Sequence, residues 1–184
     1  MSRHQSQSYG AVAQALHWAI AVMIIVQFGL GYYMEDLPRG PQKLELYDLH
    51  SSLGITILAL AVVRLLWRLA HPAPPLPAHM PAWERTAAQV THGLIYALIL
   101  VQPVIGLLQS SAADAPVMVW DLIPLPAVIG SDEALGEWLA GLHTIVGNVL
   151  AVLILLHIGA ALRHHFLLKD DVLRRMLPGR SSAT

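Results

Sequence analysis

Four long apolar stretches, separated by short polar connectors, organise this chain. Three of them contain no charged side chain: residues 11–34, 86–113 and 138–162. A fourth stretch, residues 49–70, is interrupted only by Arg64 and Arg68 near its end. Each stretch is as long as the roughly 20 residues that a helix needs to cross the bilayer core. Because long cationic side chains at a helix end can reach the interface, the two arginines are compatible with a membrane span.

This pattern predicts an all-α integral membrane protein, an antiparallel four-helix bundle. The composition agrees, since 55% of the residues are hydrophobic, 12% are charged and the mean hydropathy is +0.56. In the third connector, residues 117–125 mix Trp120 with aliphatic side chains, which predicts either a short helix lying on the membrane or a plain loop. We expect a single membrane domain, residues 1–184, without an internal repeat and with helices at about residues 11–34, 49–70, 86–110 and 138–166.

The charged residues predict an orientation. Only Arg39 and Lys43 lie on one side of the predicted membrane, together with most of the twelve acidic residues. The other basic residues lie on the opposite side: Arg3, Arg64, Arg68, Arg85, Arg163, Lys169, Arg174, Arg175 and Arg180. The positive-inside rule then places both termini in the cytoplasm. We therefore expect a multi-pass protein of the bacterial inner membrane, in contact with membrane lipid and without a nucleic-acid partner.

The cysteine and histidine contents narrow the chemistry. The chain has no cysteine, which excludes disulfides, iron–sulfur clusters, thiolate zinc sites and covalent c-type haem. It has ten histidines, and an ionisable side chain inside a membrane span is a functional candidate. Five lie within the apolar stretches: His17, His50, His92, His143 and His157. The others lie in polar segments or at the end of the fourth stretch, where solvated or interfacial roles are expected: His4, His71, His79, His164 and His165.

Helical geometry selects two pairs among the five. His143 and His157 return to nearly the same helix face and are separated by about 21 Å along the axis. Their partners must lie at matching depths on other helices. The alternating direction of the spans places His50 at the outer level with His143. It places His17 at the inner level with His157.

Small residues next to these histidines leave room for a flat cofactor. The residues four positions after them are Ala21, Gly54, Gly147 and Ala161. His92 and His164 are instead followed at that spacing by Tyr96 and Leu168. Small residues also promote close helix packing, so scattered core histidines remain an alternative explanation.

Two imidazoles at each level fit a six-coordinate b-type haem, whose macrocycle supplies the other four nitrogens. A zinc or copper cage would need three or four ligands at one depth. The sequence therefore predicts two haem b groups, with iron ligands His50 and His143 at one and His17 and His157 at the other. A transporter that uses histidines as proton relays is a non-redox alternative.

Around these histidines, the chain resembles the bacterial cytochrome b-561 family, whose members are four-helix di-haem b cytochromes. The matching elements cover nearly the whole chain: Leu16-His17-Trp18, His50 with Gly54, residues 63–68 followed by His71-Pro72, residues 92–96 with residues 103–106, and His143 with His157 and His164-His165-Phe166. The resemblance implies that the same four histidines bind haem. It also implies electron exchange with ubiquinone and, in one branch of the family, oxidation of superoxide to oxygen at the outer face.

These expectations define a function and its alternatives. We expect electron transfer from a periplasmic one-electron donor to membrane ubiquinone. The family resemblance suggests superoxide as one such donor. Arg64 and Arg68 are candidates to bind haem propionates or quinone, or else to anchor the interface. His92, Tyr96 and His164 are candidates for a proton or quinone site. The acidic outer face argues against fast capture of an anion unless Arg39 and Lys43 act locally. The alternative function is a membrane-anchor cytochrome b subunit that receives electrons from a docked dehydrogenase or hydrogenase.

Overall fold

Four long α-helices form the protein in the computed structural model, which describes residues 8–77 and 80–178. They are α1 (Ala11–Glu35), α2 (Pro41–Ala70), α3 (Ala82–Ala112) and α4 (Glu133–Arg163). All four are long and apolar enough to cross a membrane. The predicted all-α membrane bundle is therefore confirmed.

Three helices begin earlier than the hydropathy pattern places them. The first turn of α2 starts at Pro41, whose fixed φ and missing N–H suit the first helical position. At the start of α4, the Asp132 side chain accepts a hydrogen bond from the Leu135 N–H at 3.0 Å, which satisfies one of the unpaired donors of the first turn. These polar first turns extend each helix beyond the apolar segment that hydropathy detects.

The helices pack in chain order, α1 on α2, α2 on α3 and α3 on α4. Ile20, Ile24, Ile57, Ile99 and Leu150 form the central apolar cluster. Many other large apolar side chains point outward, as a bundle surrounded by lipid tails requires. The first and last helices approach each other less closely than sequential neighbours do.

A short β-hairpin covers part of one end of the bundle. Strand β1 (Val117–Val119) pairs antiparallel with β2 (Ile123–Leu125) and lies against α2. The Trp120 backbone N–H donates to Ser52 Oγ at 2.9 Å, and the Trp120 indole N–H donates to Thr56 Oγ1 at 3.1 Å. The expectation of a surface helix or plain loop at residues 117–125 is therefore wrong, because strand pairing and α2 satisfy the polar groups of this segment.

The opposite end is closed by the C-terminal segment. After α4, a π-helical turn (His164–Leu168) ends at Lys169, which has a positive φ of 56°. The chain then crosses the bundle, where the Trp18 indole N–H donates to the Met176 carbonyl at 2.8 Å. Arg175 Nη1 donates to the Pro75 carbonyl at 2.6 Å. We call this the terminal end, and the end that carries the α1–α2 and α3–α4 connections the hairpin end.

Candidate functional site

Two pairs of histidine rings face each other inside the bundle. Near the hairpin end, His50 on α2 and His143 on α4 have ring centroids 6.2 Å apart. Nearer the terminal end, His17 on α1 and His157 on α4 have ring centroids 6.2 Å apart. The structure thus brings together both pairs of histidines that the sequence singled out. We call them the hairpin-end pair and the terminal-end pair.

The separation within each pair fits one metal ion between two imidazoles. Two metal–nitrogen bonds of about 2 Å, with about 1.1 Å from each nitrogen to its ring centre, place the ring centres about 6.2 Å apart. Ring planes at 64° in the hairpin-end pair and 70° in the terminal-end pair are not stacked on each other. The two imidazoles of each pair are therefore spaced to act as two ligands of one metal centre.

A cavity adjoins the hairpin-end pair and gives room for a flat cofactor. Its volume is about 360 Å³. The polar residues that line it include Lys43 and Tyr47, and four glycines line it as well: Gly31, Gly54, Gly106 and Gly147. The donor set, the spacing and the clearance together fit a haem held by His50 and His143.

Two of these glycines pack directly against the histidine rings. A Cβ at Gly31 would lie 3.5 Å from His50 Cε1, and a Cβ at Gly106 would lie 3.2 Å from His143 Cε1. These glycines, which sequence reasoning missed, let each histidine ring lie against the neighbouring helix. Gly54, which sequence reasoning assigned to cofactor clearance, also makes space for the Gln27 side chain.

The two halves of the bundle repeat one arrangement of residues. On α1, His17, Gln27 and Gly31 have the same spacing as a triplet on α3: His92, Gln102 and Gly106. On α2, the spacing of His50, Gly54 and Arg64 is the same as on α4: His143, Gly147 and His157. The expectation that the chain has no internal repeat is therefore wrong. The repeat was missed because it consists of isolated positions on apolar helices rather than of similar segments.

A third imidazole lies beside the terminal-end pair. The His92 ring centroid is 5.0 Å from that of His157. The Ala88 carbonyl lies 2.6 Å from His92 Nδ1, and because a carbonyl can only accept, Nδ1 carries the proton and Nε2 carries a lone pair. His92 is thus the repeat counterpart of His17 and is placed beside the same partner.

Arg64 and Tyr96 extend this polar group. Arg64 Nη1 donates to the Ala13 carbonyl at 2.6 Å, and its guanidinium lies 6.0 Å from the centre of the Tyr96 ring. The Tyr96 hydroxyl is buried without a hydrogen-bond partner among the described residues. Arg64 and Arg68 both lie within electrostatic reach of His92. The structure therefore gathers four of the predicted candidates beside the terminal-end pair.

His164 has a different environment from the one expected for an interfacial cation. It is only 5% exposed. Its Nδ1 lies 2.5 Å from Asp170 Oδ2, and its Nε2 lies 3.3 Å from Glu84 Oε1. Glu84 also pairs with Arg163 at 2.5 Å. Sequence reasoning did not single out Glu84 or Asp170. Glu84 lies on α3, far from His164 in the chain, and Asp170 reaches the ring because the backbone turns back at Lys169.

The other histidines and charged residues named from the sequence lie away from the two histidine pairs or outside the described residues. His71 stacks on Trp67 with ring centroids 4.0 Å apart at the exposed end of α2. No cluster of three or more His, Cys, Asp or Glu side chains able to hold a metal ion occurs in residues 8–77 and 80–178. Four residues named from the sequence lie outside the described residues: Arg3, His4, His79 and Arg180.

Four apolar helices with facing imidazoles inside the bundle fit the class of membrane b-type cytochromes. A family model described as prokaryotic cytochrome b561 matches residues 8–179. The chain is 34% identical to "Cytochrome b561 homolog 2" of Escherichia coli K12, over 96% of this chain and 94% of the relative. It is 30% identical to "Probable superoxide oxidase CybB" of Yersinia pestis, over 94% and 97%. It is also 30% identical to "Cytochrome b562" of Cereibacter sphaeroides, over 96% and 99%.

The chain belongs to the prokaryotic cytochrome b561 family. It is a bacterial membrane protein, and membership of this family implies haem b and a role in electron transport. The residues of the hairpin-end pair and its cavity fit that cofactor.

Proposed function

We propose that the protein is a di-haem cytochrome that moves electrons across the bacterial inner membrane, from a one-electron donor outside to ubiquinone. The observation that carries this proposal is the equal 6.2 Å separation of the ring centroids in the two histidine pairs. Their depths differ by about 21 Å along α4, estimated from the helical rise. Two metal centres at these depths would span most of the roughly 30 Å apolar core of the membrane.

Each pair has a defined role in this proposal. His50 and His143 hold one haem, and His17 and His157 hold the other. Bound between two imidazoles, haem iron supplies reversible one-electron exchange. The surrounding apolar side chains, such as Ile57, exclude water from the region between the pairs.

The orientation follows from the basic residues at the terminal end, which include Arg85, Arg163, Lys169 and Arg174. Because such residues are retained on the cytoplasmic side, we assign the terminal end to the cytoplasm and the hairpin end to the periplasm. The hairpin-end pair then receives electrons, and the terminal-end pair lies nearer the cytoplasmic surface.

Ubiquinone is assigned to the polar group beside the terminal-end pair. The unpaired Tyr96 hydroxyl and the Arg64 guanidinium can donate hydrogen bonds to quinone oxygens. Arg68 adds positive charge near His92. His164, held between Glu84 and Asp170, can pass protons from the terminal surface toward this region. These contacts support a site where quinone reduction and proton uptake occur together.

The outer donor is assigned as superoxide, in agreement with the name of the Yersinia pestis relative, a probable superoxide oxidase. Arg39 and Lys43 line one hollow at the hairpin end, together with Tyr47. Lys43 Nζ donates to the Glu35 and Leu37 carbonyls at 3.1 and 2.8 Å, so its charge is held beside the cavity that contains His50. The two outer bases are thus grouped at one entrance, which can attract an anion despite the acidic surroundings.

The central test is a functional assay on the purified wild-type protein in vesicles that contain ubiquinone. We expect a pyridine haemochrome assay to give two haem b per chain and superoxide to reduce them. Two superoxide anions should yield two oxygen molecules and one ubiquinol, with two protons taken up. His164→Gln should slow ubiquinol formation more than haem reduction. A colourless protein would sink the cytochrome proposal, and reduction only by a co-purified protein would favour the membrane-anchor alternative.

The outer charges give a second test. Replacing Arg39 and Lys43 together by glutamine should slow reduction by superoxide about 10-fold at low ionic strength, because steering of an anion is lost. The difference should shrink at high salt. Arg174→Gln, an exposed charge at the terminal end, is the matched control and should leave the rate unchanged. Equal rates for the double variant and the control in low salt would exclude this entrance.

A further inference from the structure

We propose that Gln27 and Gln102 are positioning residues for the hairpin-end pair. Each glutamine fixes the backbone of one histidine and supplies the acceptor for that histidine's second ring nitrogen. The inference rests on the proposed function, since it assumes a haem between His50 and His143. It concerns two polar side chains in the membrane-spanning part of the bundle, where a polar group is costly and is therefore a functional candidate.

The first observation is a pair of equivalent hydrogen bonds between helices. Gln27 Nε2 on α1 donates to the backbone carbonyl of His50 on α2 at 2.9 Å. Gln102 Nε2 on α3 donates to the backbone carbonyl of His143 on α4 at 2.8 Å. In a low-dielectric interior such bonds are costly to lose. Each amide therefore links two adjacent helices, α1 to α2 or α3 to α4. The hydrogen bond is made at the backbone carbonyl of the histidine itself.

The second observation is that glycines make space for both amides. A Cβ at Gly54 would lie 3.4 Å from Gln27 Nε2, and a Cβ at Gly147 would lie 3.0 Å from Gln102 Nε2. A larger residue at either position would push the amide away from the carbonyl that it binds. The two halves of the bundle thus maintain the same contact with the same two residue types.

The third observation concerns buried atoms that lack partners. Gln27 Oε1, Gln102 Oε1, His50 Nδ1 and His143 Nδ1 are all buried without a hydrogen-bond partner among the described residues. A Cβ at Gly31 would lie 3.9 Å from His50 Nδ1, so this nitrogen faces α1, the helix of Gln27. Likewise a Cβ at Gly106 would lie 3.5 Å from His143 Nδ1, so that nitrogen faces α3, the helix of Gln102.

These atoms are complementary once a haem is bound. A metal-ligating histidine donates its second ring N–H to an acceptor, which fixes the ring orientation and makes the ligand more basic. The amide oxygens are unused acceptors on the residues that already bind the two histidine carbonyls. Each oxygen can accept the Nδ1–H directly or through one water. A more basic ligand favours the ferric state and lowers the reduction potential.

The test compares isosteric variants in the full-length, haem-loaded protein. Gln27→Met and Gln102→Met remove both hydrogen-bonding functions, whereas Gln27→Glu and Gln102→Glu retain an acceptor oxygen. Val26→Met is the control, because Val26 precedes Gln27 on the same helix and its side chain is 49% exposed. Redox titration and low-temperature electron paramagnetic resonance report each haem separately. Haem loss to apomyoglobin reports the retention at each level.

We expect both methionine variants to raise the potential of the hairpin-end haem. Its retention should fall about 10- to 100-fold, as for other partners of metal ligands. The terminal-end haem and the Val26→Met control should be unchanged. The glutamate variants should hold both haems, with the reduction potential of the hairpin-end haem at or below that of the wild type. If the methionine variants do not fold, the glutamate variants test the inference on their own.

Unchanged potentials and resonance signals in the methionine variants would overturn the inference, as would glutamate variants whose potential rises. Loss of the hairpin-end haem alone would support it. These outcomes are distinct from failure of the proposed function, which would show as a wild-type protein without bis-imidazole haem.

Discussion

Replacing His143 by alanine is expected to halve the haem content, from two haems per chain to one. The change removes one axial ligand of the hairpin-end pair, and His50 alone cannot hold a six-coordinate haem. His17→Ala should also leave one haem per chain. The haem that remains should be the one at the hairpin end, because the change disrupts the terminal-end pair. A pyridine haemochrome assay with redox titration of both variants measures the content and identifies the haem that remains.

His92→Ala is the matched control for these two variants. His92 lies 5.0 Å from the His157 ring by centroids, but its Nδ1 is committed to the Ala88 carbonyl. We expect this variant to keep both haems. Two variants that lose the same haem, or a His92→Ala protein with one haem, would contradict the assignment of the pairs.

The sequence predicted the helices and the histidine pairs for physical reasons that are local to each span. Apolar runs must be long enough to cross the membrane, so α1 to α4 were visible from hydropathy. The depth of a histidine follows from its position along the helix, so His50 could be matched with His143 without knowledge of the packing. Both features depend only on helical rise and on the alternating direction of the spans.

The surroundings of those histidines could not be predicted in the same way. Gly31 and Gln27 lie against α2 only because of the rotation and offset of α1 in the antiparallel pair, which hydropathy does not determine. The β-hairpin depends on the match between Trp120 and the hydroxyls of Ser52 and Thr56. These contacts result from tertiary packing between segments distant in the chain.

The internal repeat explains why the two histidine pairs use different helices. His50 and His143 occupy equivalent positions on α2 and α4, so the hairpin-end pair is symmetric. At the other level the repeat would place a histidine on α2 opposite His92, but Arg64 occupies that position. His17 and His157 then form the pair that we propose to hold the second haem, and His92 and Arg64 belong to the polar group proposed to bind quinone.

Gly106→Val is expected to cost the hairpin-end haem while leaving the terminal-end haem in place. A Cβ at Gly106 would lie 3.2 Å from His143 Cε1, and the two methyl groups of valine would push the ring farther from His50. Overpacking of this kind costs about 1–3 kcal/mol. Valine is also a better helix former than glycine, so a weakened α3 cannot account for the loss. Haem content and the redox titration of the remaining haem measure the effect.

The chain offers graded controls for this substitution. A Cβ at Gly31 would lie 3.5 Å from His50 Cε1, and a Cβ at Gly93, on the same helix as Gly106, would meet nothing within 4 Å. We therefore expect Gly31→Val to weaken retention of the hairpin-end haem less than Gly106→Val does, and Gly93→Val to retain both haems. Equal haem loss in all three variants would indicate a general effect of valine on the helices. It would argue against glycine clearance as the feature that lets each histidine reach its partner.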